Sequence, residues 1–568
     1  MTSIKPLSGC MTILVGRQAS STGEVLVGHN EDAPGRFIMQ THLVRKRHRH
    51  VGRMTKFEPN LAEVELGQNR TSLFWSEAKT FSDDYSDSAF CDFYVNGYGV
   101  VICSNNCADS REDNPELTDG GIGYGLRRLV AEKAHNAKEA LEIACNLVNK
   151  YGYASSGRSY AFSDKDEIYV MQIVNGKHYA IQRVPDDEVA VIPNHYTIRE
   201  LDKKTKGYND LVSYAKSRGW YKPEEGMFDF AHVYQAPESY GLTKNTYRHV
   251  KAFEILLEMD LSGLLKNKWQ SLPFSIKPAN SVSVDTLKKI LRAHNEGSNS
   301  HFDKPISICN IDTLESTIVK IRHNPDRILI YKALGRPCYS PYIPWYFGIT
   351  ADPKGYEEIS PDKALDEHFQ TKPEDMGYKD NAWYRAMEIQ AACEILGEEK
   401  SAAVCEKIRT FEDELERKVK PLDSQIELRI RNEPDIARAM MESVIMTCAD
   451  KLEEFARATR KALNIFYGEA LTPAKCGQTF KVKISNGSID LGNIDPLKSK
   501  CGPSYASQDH WSECTESFYD EQERYIELVF KPATWLNDAV PCLTDLYIML
   551  VDKNGTKYAG CVRIQVQE

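Results

Sequence analysis

The stretch Gly9-Cys10-Met11-Thr12-Ile13-Leu14-Val15-Gly16, followed about a dozen residues later by Gly28-His29-Asn30-Glu31-Asp32, decides how the chain reads. Apolar Met11–Val15 is a short strand, and Cys10 stands at its start behind a short polar leader. If the Gly9–Cys10 bond is cut, Cys10 carries both a thiol and a free α-amine. Their ordinary pKa values, about 8.5 and about 8, make proton transfer between them nearly balanced. One residue then supplies nucleophile and base. A small residue before the cysteine lets its sulfur reach the preceding carbonyl, as self-cleavage requires. By spacing alone, Cys10 reads first as an ordinary buried cysteine near a terminus.

Working outward, Glu24–Gly28 is a second short strand, reached through a turn at Ser20-Ser21-Thr22-Gly23. Asp92–Val95 and Val100–Cys103 flank Asn96-Gly97, a hairpin dipeptide. Ser159–Ser163, Ile168–Val174 and Lys177–Arg183 read as a meander. One helical stretch interrupts them: Leu126, Leu129, Val130 and Ala134, then Leu141, Ala144, Cys145 and Val148. Asn136 with Glu139 forms a capping-box pattern opening its second half. Helical spacing returns at Tyr247–Leu257 and Val284–His294, and strands at Ser316–Ile321 and Arg327–Ala333. Residues 380–467 are charged and helical. Beyond Pro473 the chain turns to strands, at Phe480–Ile484, Tyr525–Phe530, Leu546–Val551 and Ala559–Val566. The fold class is α+β. The expected division is a leader over 1–9, a core over 10–350, a helical region over 351–472 and a small all-β, sandwich-like domain over 473–568.

Composition narrows the function. Of 568 residues, 71 are Lys or Arg and 81 are Asp or Glu, a net charge of −10 that argues against a nucleic-acid binder. The basic run Arg45-Lys46-Arg47-His48-Arg49-His50 reads as a solvated strand or loop. No apolar run approaches the ~20 residues of a membrane span. Met1–Gly9 holds no apolar signal segment, so a cytoplasmic location is expected, with secretion open if a signal peptide has been removed. The 15 cysteines are scattered and read as reduced thiols. Neither Cys103 with Cys107 nor Cys501 with Cys514 is followed by a second pair at zinc spacing, and no His-Glu-x-x-His occurs. The Gly120-Gly121 stretch, with Gly123 and Gly125, lacks Walker or dinucleotide spacing. No metal and no cofactor are expected.

The two opening motifs resemble the start of the dipeptidase A family of cysteine N-terminal-nucleophile hydrolases, whose mature chains begin C-T-T-I-L-V-G and continue to R-N-E-D. Further blocks are similar: Val174-Asn175-Gly176-Lys177-His178, Arg183–Val191, Leu272–Pro278 and Ala333-Leu334-Gly335-Arg336-Pro337-Cys338. The resemblance spans residues 10–465. It implies a four-layer αββα sandwich, here with helical insertions. It also implies a nucleophile at Cys10, an α-amine held by Asp32, an oxyanion donor at Asn96 and a second asparagine, Asn194, near the nucleophile. Asn96 equally reads as a hairpin residue.

Two positions depart from the pattern. Met11 stands where the family has Thr, and His29 where it has Arg. A neutral imidazole at 29 sets thiol ionisation less strongly than a guanidinium; Arg17 is a sequence-near substitute. For substrate, Glu31 and Asp109 are candidate ammonium partners, Arg158 a candidate carboxylate partner, and His29 a candidate for substrate range. The reading is a metal-independent dipeptidase acting on small peptides. The alternatives are an N-acyl amino acid or small-amide hydrolase, or a hydrolase-like scaffold. A homo-oligomer is left open.

Overall fold

The computed structural model describes residues 9–32, 38–44, 54–57, 60–65, 71–79, 93–106, 110–204, 207–240, 243–266, 272–295, 301, 305–356, 382–503, 508–537 and 542–567. The basic run at 45–50 and Asp109 lie outside these residues. The chain forms two compact units. The first comprises the described residues of Met1–Ala333, Tyr342–Asp352 and Leu422–Ile445; the second, those of Leu334–Pro341, Pro353–Pro421 and Met446–Glu568. The helical region expected as one block over 351–472 is therefore shared between the two. Among the described residues, no helix is long and apolar enough to cross a membrane.

In chain order the first unit carries β1 (Met11–Val15), β2 (Leu26–Asp32), β3 (Ile38–Val44), β4 (Met54–Thr55), β5 (Val64–Glu65), β6 (Leu73–Lys79), β7 (Phe93–Asn96) and β8 (Val101–Asn106). Helices α1 (Leu126–Lys133) and α2 (Ala137–Tyr151) follow, then β9 (Arg158–Ser163), β10 (Ile168–Ile173), β11 (Tyr179–Arg183) and β12 (Val189–Ile192). Next come α3 (Tyr208–Ser217), α4 (Phe230–Tyr234), α5 (Thr243–Leu257), β13 (Ser275–Ile276), α6 (Val284–Leu291), β14 (Thr313–Lys320), β15 (Leu329–Leu334) and β16 (Ile343–Tyr346).

Two seven-stranded sheets organise these elements. One has the order β13-β12-β1-β2-β14-β15-β16, the other β11-β10-β9-β8-β7-β6-β3. In β1 and β2 the period-2 alternation splits the side chains between two faces. Thr12 and His29, paired in register, look toward β8 of the other sheet, where Thr12 bonds Asn105. Met11 and Asn30 look the other way, and Gly28 on that face lies against Leu287 and Leu291 of α6. Helices α1 and α2 pack on β7–β10, burying Leu126, Leu129, Val130, Ala140, Ala144 and Val148 against Tyr94, Ile102, Tyr160 and Met171. Helix α5 packs on β12, and α6 on β2 and β14.

Three local expectations are refined. The stretch 126–151 is two helices, because Ala134 leaves helical geometry at ψ 136°. Asn136 caps α2 by accepting from the Glu139 N–H at 2.8 Å, but the Glu139 carboxylate accepts from the His135 N–H instead of completing the box. At the 96–100 hairpin the left-handed residue is Gly99, at φ 84°, and Gly97 instead gives up its side chain to approach Thr71.

In the second unit, α7 (Ala382–Leu396), parts of α8 (Glu398–Arg429) and α9 (Pro434–Leu463), and a C-terminal sheet come together. That sheet contains β17 (Phe466–Ala470), β18 (Ala474–Lys475), β19 (Phe480–Ser485), β20 (Lys500–Gly502), β21 (Ser512–Asp520), β22 (Tyr525–Phe530), β23 (Cys542–Val551) and β24 (Lys557–Gln567). The expectation of a sandwich-like domain from 473 is corrected on two points. The strands begin at Phe466, and the sheet closes on itself, because β17 pairs with both β19 and β24. Closure removes the free edges a sandwich would keep. Its interior is apolar, with Phe480 stacked on Phe530 and set edge-on to Trp535.

Candidate active site

Cys10 sits at the N-terminal end of β1, where the adjacent ends of β2 and β12 place their residues around it. Its sulfur lies 3.9 Å from a Glu31 carboxyl oxygen and 3.9 Å from the Asp32 backbone carbonyl. Cys10 is 4% exposed. Burial, then the nearby Glu31 and Asp32 carboxyls, push its thiol well above the usual range, while Arg158 pulls the other way. With its nitrogen in the Gly9 peptide, the thiol is held protonated.

A directed hydrogen-bond chain runs from that sulfur into the core. Asn105 Nδ2 donates to the Ile192 carbonyl at 3.0 Å, which turns Asn105 Oδ1 toward Thr12. The Thr12 hydroxyl donates to that oxygen at 2.5 Å. Thr12 is then left to accept from His29 Nδ1, 2.8 Å away, so the proton of the neutral imidazole sits on Nδ1. His29 Nε2 becomes an acceptor facing Glu31 Oε2 at 3.3 Å, and Glu31 must supply the hydrogen. Electrostatics agree with this geometry. Burial, with Arg127, Lys332 and Arg158 nearby, lowers His29 to about 3. Burial raises Glu31 to about 8 against the pull of Arg127, with the Glu315 charge adding to the rise. Geometry and the raised Glu31 value agree in placing the hydrogen between His29 Nε2 and Glu31 Oε2 on Glu31, beside the sulfur. Glu31 thus lies against the nucleophile sulfur. His29 is a link in the same chain.

The second half of the site is organised by Arg248 on α5, a residue the sequence reading passed over. Asn245 and Arg248, three apart, share one helix face. The buried guanidinium donates to the Gly9 carbonyl and, at 3.3 Å, to the Cys10 carbonyl. It also donates to Asn194 Oδ1 at 2.6 Å and Asn245 Oδ1 at 2.9 Å, and lies 3.7 Å from the Asp32 carboxylate. Asn194, just past β12, donates to the Asn106 carbonyl at 2.6 Å. Its side chain lies so close to Gly9 that a Cβ there would fall 1.8 Å from Asn194 Oδ1. Asp32 is held by Asn310 Nδ2 at 2.8 Å and the Thr313 hydroxyl at 2.7 Å. Burial still raises Asp32 to about 7, against the Arg248 charge and these two hydrogen bonds.

Cys10, Glu31, Asp32, His29 and Asn194 thus converge on one end of the first sheet. Asn96 does not join them. Its amide donates to the Ala131 and Ala134 carbonyls at 3.0 and 2.8 Å, and its oxygen accepts from the Tyr98 and Val100 N–H groups. Both donors are committed to ending α1 on the hairpin, so the oxyanion expectation is corrected in favour of the hairpin one. Arg158 is buried, donates to Ser104 at 2.8 Å and lies over the Tyr124 ring, beside Arg127, which also donates to Ser104. Together these two supply positive charge near position 29. Arg17, 41% exposed and paired with Asp186, does not.

Residues 9–388 match the model of peptidase family C69, and the chain belongs to that family. This bears out the resemblance carried by Cys10 and Asn30-Glu31-Asp32. Individual relatives include a probable dipeptidase of Latilactobacillus sakei, 26% identical over 390 residues, covering 63% of this chain and 78% of that protein. A probable dipeptidase of Salmonella dublin is 25% identical over 368 residues, covering 60% and 81%. A solved structure, that of a mutant conjugated bile acid hydrolase from Clostridium perfringens, aligns with a TM-score of 0.31 at 11% identity, over 59% of this chain and 92% of that chain.

Proposed function

We propose that the protein is a cysteine N-terminal-nucleophile amidohydrolase, a dipeptidase that cleaves small peptides through an acyl-enzyme on Cys10. The first unit is read as the αββα sandwich of that class, a reading supported by the β1–β8 contact and the helices packed on each sheet. The observation that carries the function is the grip of Arg248 on the carbonyl that precedes Cys10.

Maturation comes first. The Cys10 sulfur attacks the Gly9 carbonyl carbon while Arg248 stabilises the charge developing on its oxygen. The C–N bond breaks, the nitrogen takes the thiol proton, and Gly9 is left as a thioester. Water hydrolyses the thioester, releasing the leader as a carboxylate and restoring the thiol. Cys10 now carries a free α-amine, which takes the thiol proton when sulfur attacks a substrate amide and returns it to the leaving amine. A second water resolves the acyl-enzyme. Asn194, whose Oδ1 accepts from Arg248 beside Gly9, keeps that guanidinium on the carbonyl, and Asp32, fixed by Asn310 and Thr313, provides the carboxylate that orients the α-amine.

Intact-protein mass tests the first step. Wild type should lose residues 1–9, and Cys10→Ala should keep them. The mature form should then hydrolyse members of a dipeptide panel, while N-acyl amino acids turn over slowly. A fully processed protein that cleaves only the acyl amides would replace the dipeptidase reading with the amide-hydrolase one.

A further inference from the structure

We propose that His294, His301 and Cys309 form a zinc site in the segment linking α6 to β14, separate from the nucleophile. The two imidazole Nε2 atoms stand 3.2 Å apart, and the Cys309 sulfur is 3.6 Å from His301 Nε2. All three donor atoms lie within 4.8 Å of one another. A tetrahedral zinc with Zn–N of about 2.05 Å and Zn–S of about 2.3 Å has edges of about 3.3 Å between nitrogens and about 3.6 Å between nitrogen and sulfur. The observed spacings fall on those edges. The ring planes cross at 87°, so the imidazoles meet edge-on instead of stacking. Two nitrogens and a thiolate are a borderline-soft set suited to zinc, and unsuited to magnesium or calcium, which take oxygen ligands.

The setting is built to hold the donors. His301 and Cys309 are buried. Backbone bonds from Cys309 N to the Ala293 carbonyl and from Ile311 N to the His301 carbonyl, 3.1 and 3.2 Å, close the segment on itself. Asn30 of β2 fastens its two ends by donating to the Leu291 and Ile308 carbonyls. The residue after Cys309 is Asn310, which holds the Asp32 carboxyl. The metal would therefore fix the loop that positions an active-site acid, a structural role.

The test is metal analysis of full-length protein produced with zinc in the medium and dialysed against buffer. About one zinc per chain is expected in wild type and in Cys10→Ala, falling below about one fifth in His301→Ala and Cys309→Ser. Should those variants fail to fold, cobalt added to metal-stripped wild type serves instead. It should give the absorption of a tetrahedral ion with a sulfur-to-metal charge-transfer band, displaced by one equivalent of zinc. Metal-free wild type with no cobalt band would overturn the proposal, leaving a hydrogen-bonded His–His–Cys cluster. Loss of zinc in Cys10→Ala, with retention in the loop variants, would move the metal to the Cys10–His29–Glu31 group and overturn it equally.

Discussion

At the scale of single residues, position 9 is tightly constrained. Any Cβ there meets Asn194, which Arg248 and the Asn106 carbonyl hold from both sides. Gly9→Ala should fold yet process at least about tenfold more slowly, ~1.4 kcal/mol on the barrier, as followed by mass over time. Arg248→Lys keeps the charge beside Asp32 but loses the fork that reaches Gly9 and Asn194 together. Its thermal stability should drop less than that of Arg248→Met, while processing falls in both by about 10²-fold or more. The Glu31 proton gives a pH signature. Its folded value, about 8, lies above the ordinary 4.5, so the folded state binds the extra proton between those limits. Stability tied to this group is therefore lost as pH rises through that window and is level above it. Glu31→Gln, which can donate to His29 Nε2 without ionising, should lose less stability than wild type between pH 6 and pH 8, by roughly 2 kcal/mol. Denaturant melts at the two pH values measure the difference.

At the scale of elements, β1 over Met11–Val15 and β22 over Tyr525–Phe530 have the predicted bounds. Both are short, mostly apolar runs, which the residue pattern marks as strands without help from tertiary context. The Asn96-Gly97 hairpin was legible as a turn but not in its conformation. Thr71 and Ser72 draw Gly97 in, and the left-handed position passes to Gly99, a tertiary demand that no dipeptide preference contains. The nucleophile and the β2 acid were readable because they lie on adjacent strands a few residues apart. Arg248 was not, since its partners Gly9, Asp32 and Asn194 come from three distant segments. The available signal was Asn245-x-x-Arg248-His249, three polar residues on the buried face of the helix. The spacing His294-x6-His301-x7-Cys309 likewise lacks the close pairs by which metal sites are usually read.

At the scale of the molecule, each unit carries a core of its own. The closed C-terminal sheet packs α7 on β24, where Arg460 bonds Glu388 at 2.7 Å. Phe480 is fully buried inside it. Phe480→Ala should cost about 3–5 kcal/mol and lower one of two calorimetric transitions, leaving the rate of leader removal unchanged below that transition. A single transition shifted as a whole, with slower processing, would show the units to be one cooperative body. The closure of this sheet was beyond the sequence, because β17–β24 is a parallel pairing between strands about 90 residues apart.

The chain from Asn105 to Glu31 begins at a main-chain oxygen, that of Ile192, which no substitution can remove. Its direction is thereby inherited by every side chain downstream, and positions 12, 29, 31 and 105 become one heritable unit. Introducing arginine at 29 alone strands a hydroxyl and an acid whose orientations are set for imidazole. A library varied at the four sites together should return functional combinations that no path of single accepted steps connects.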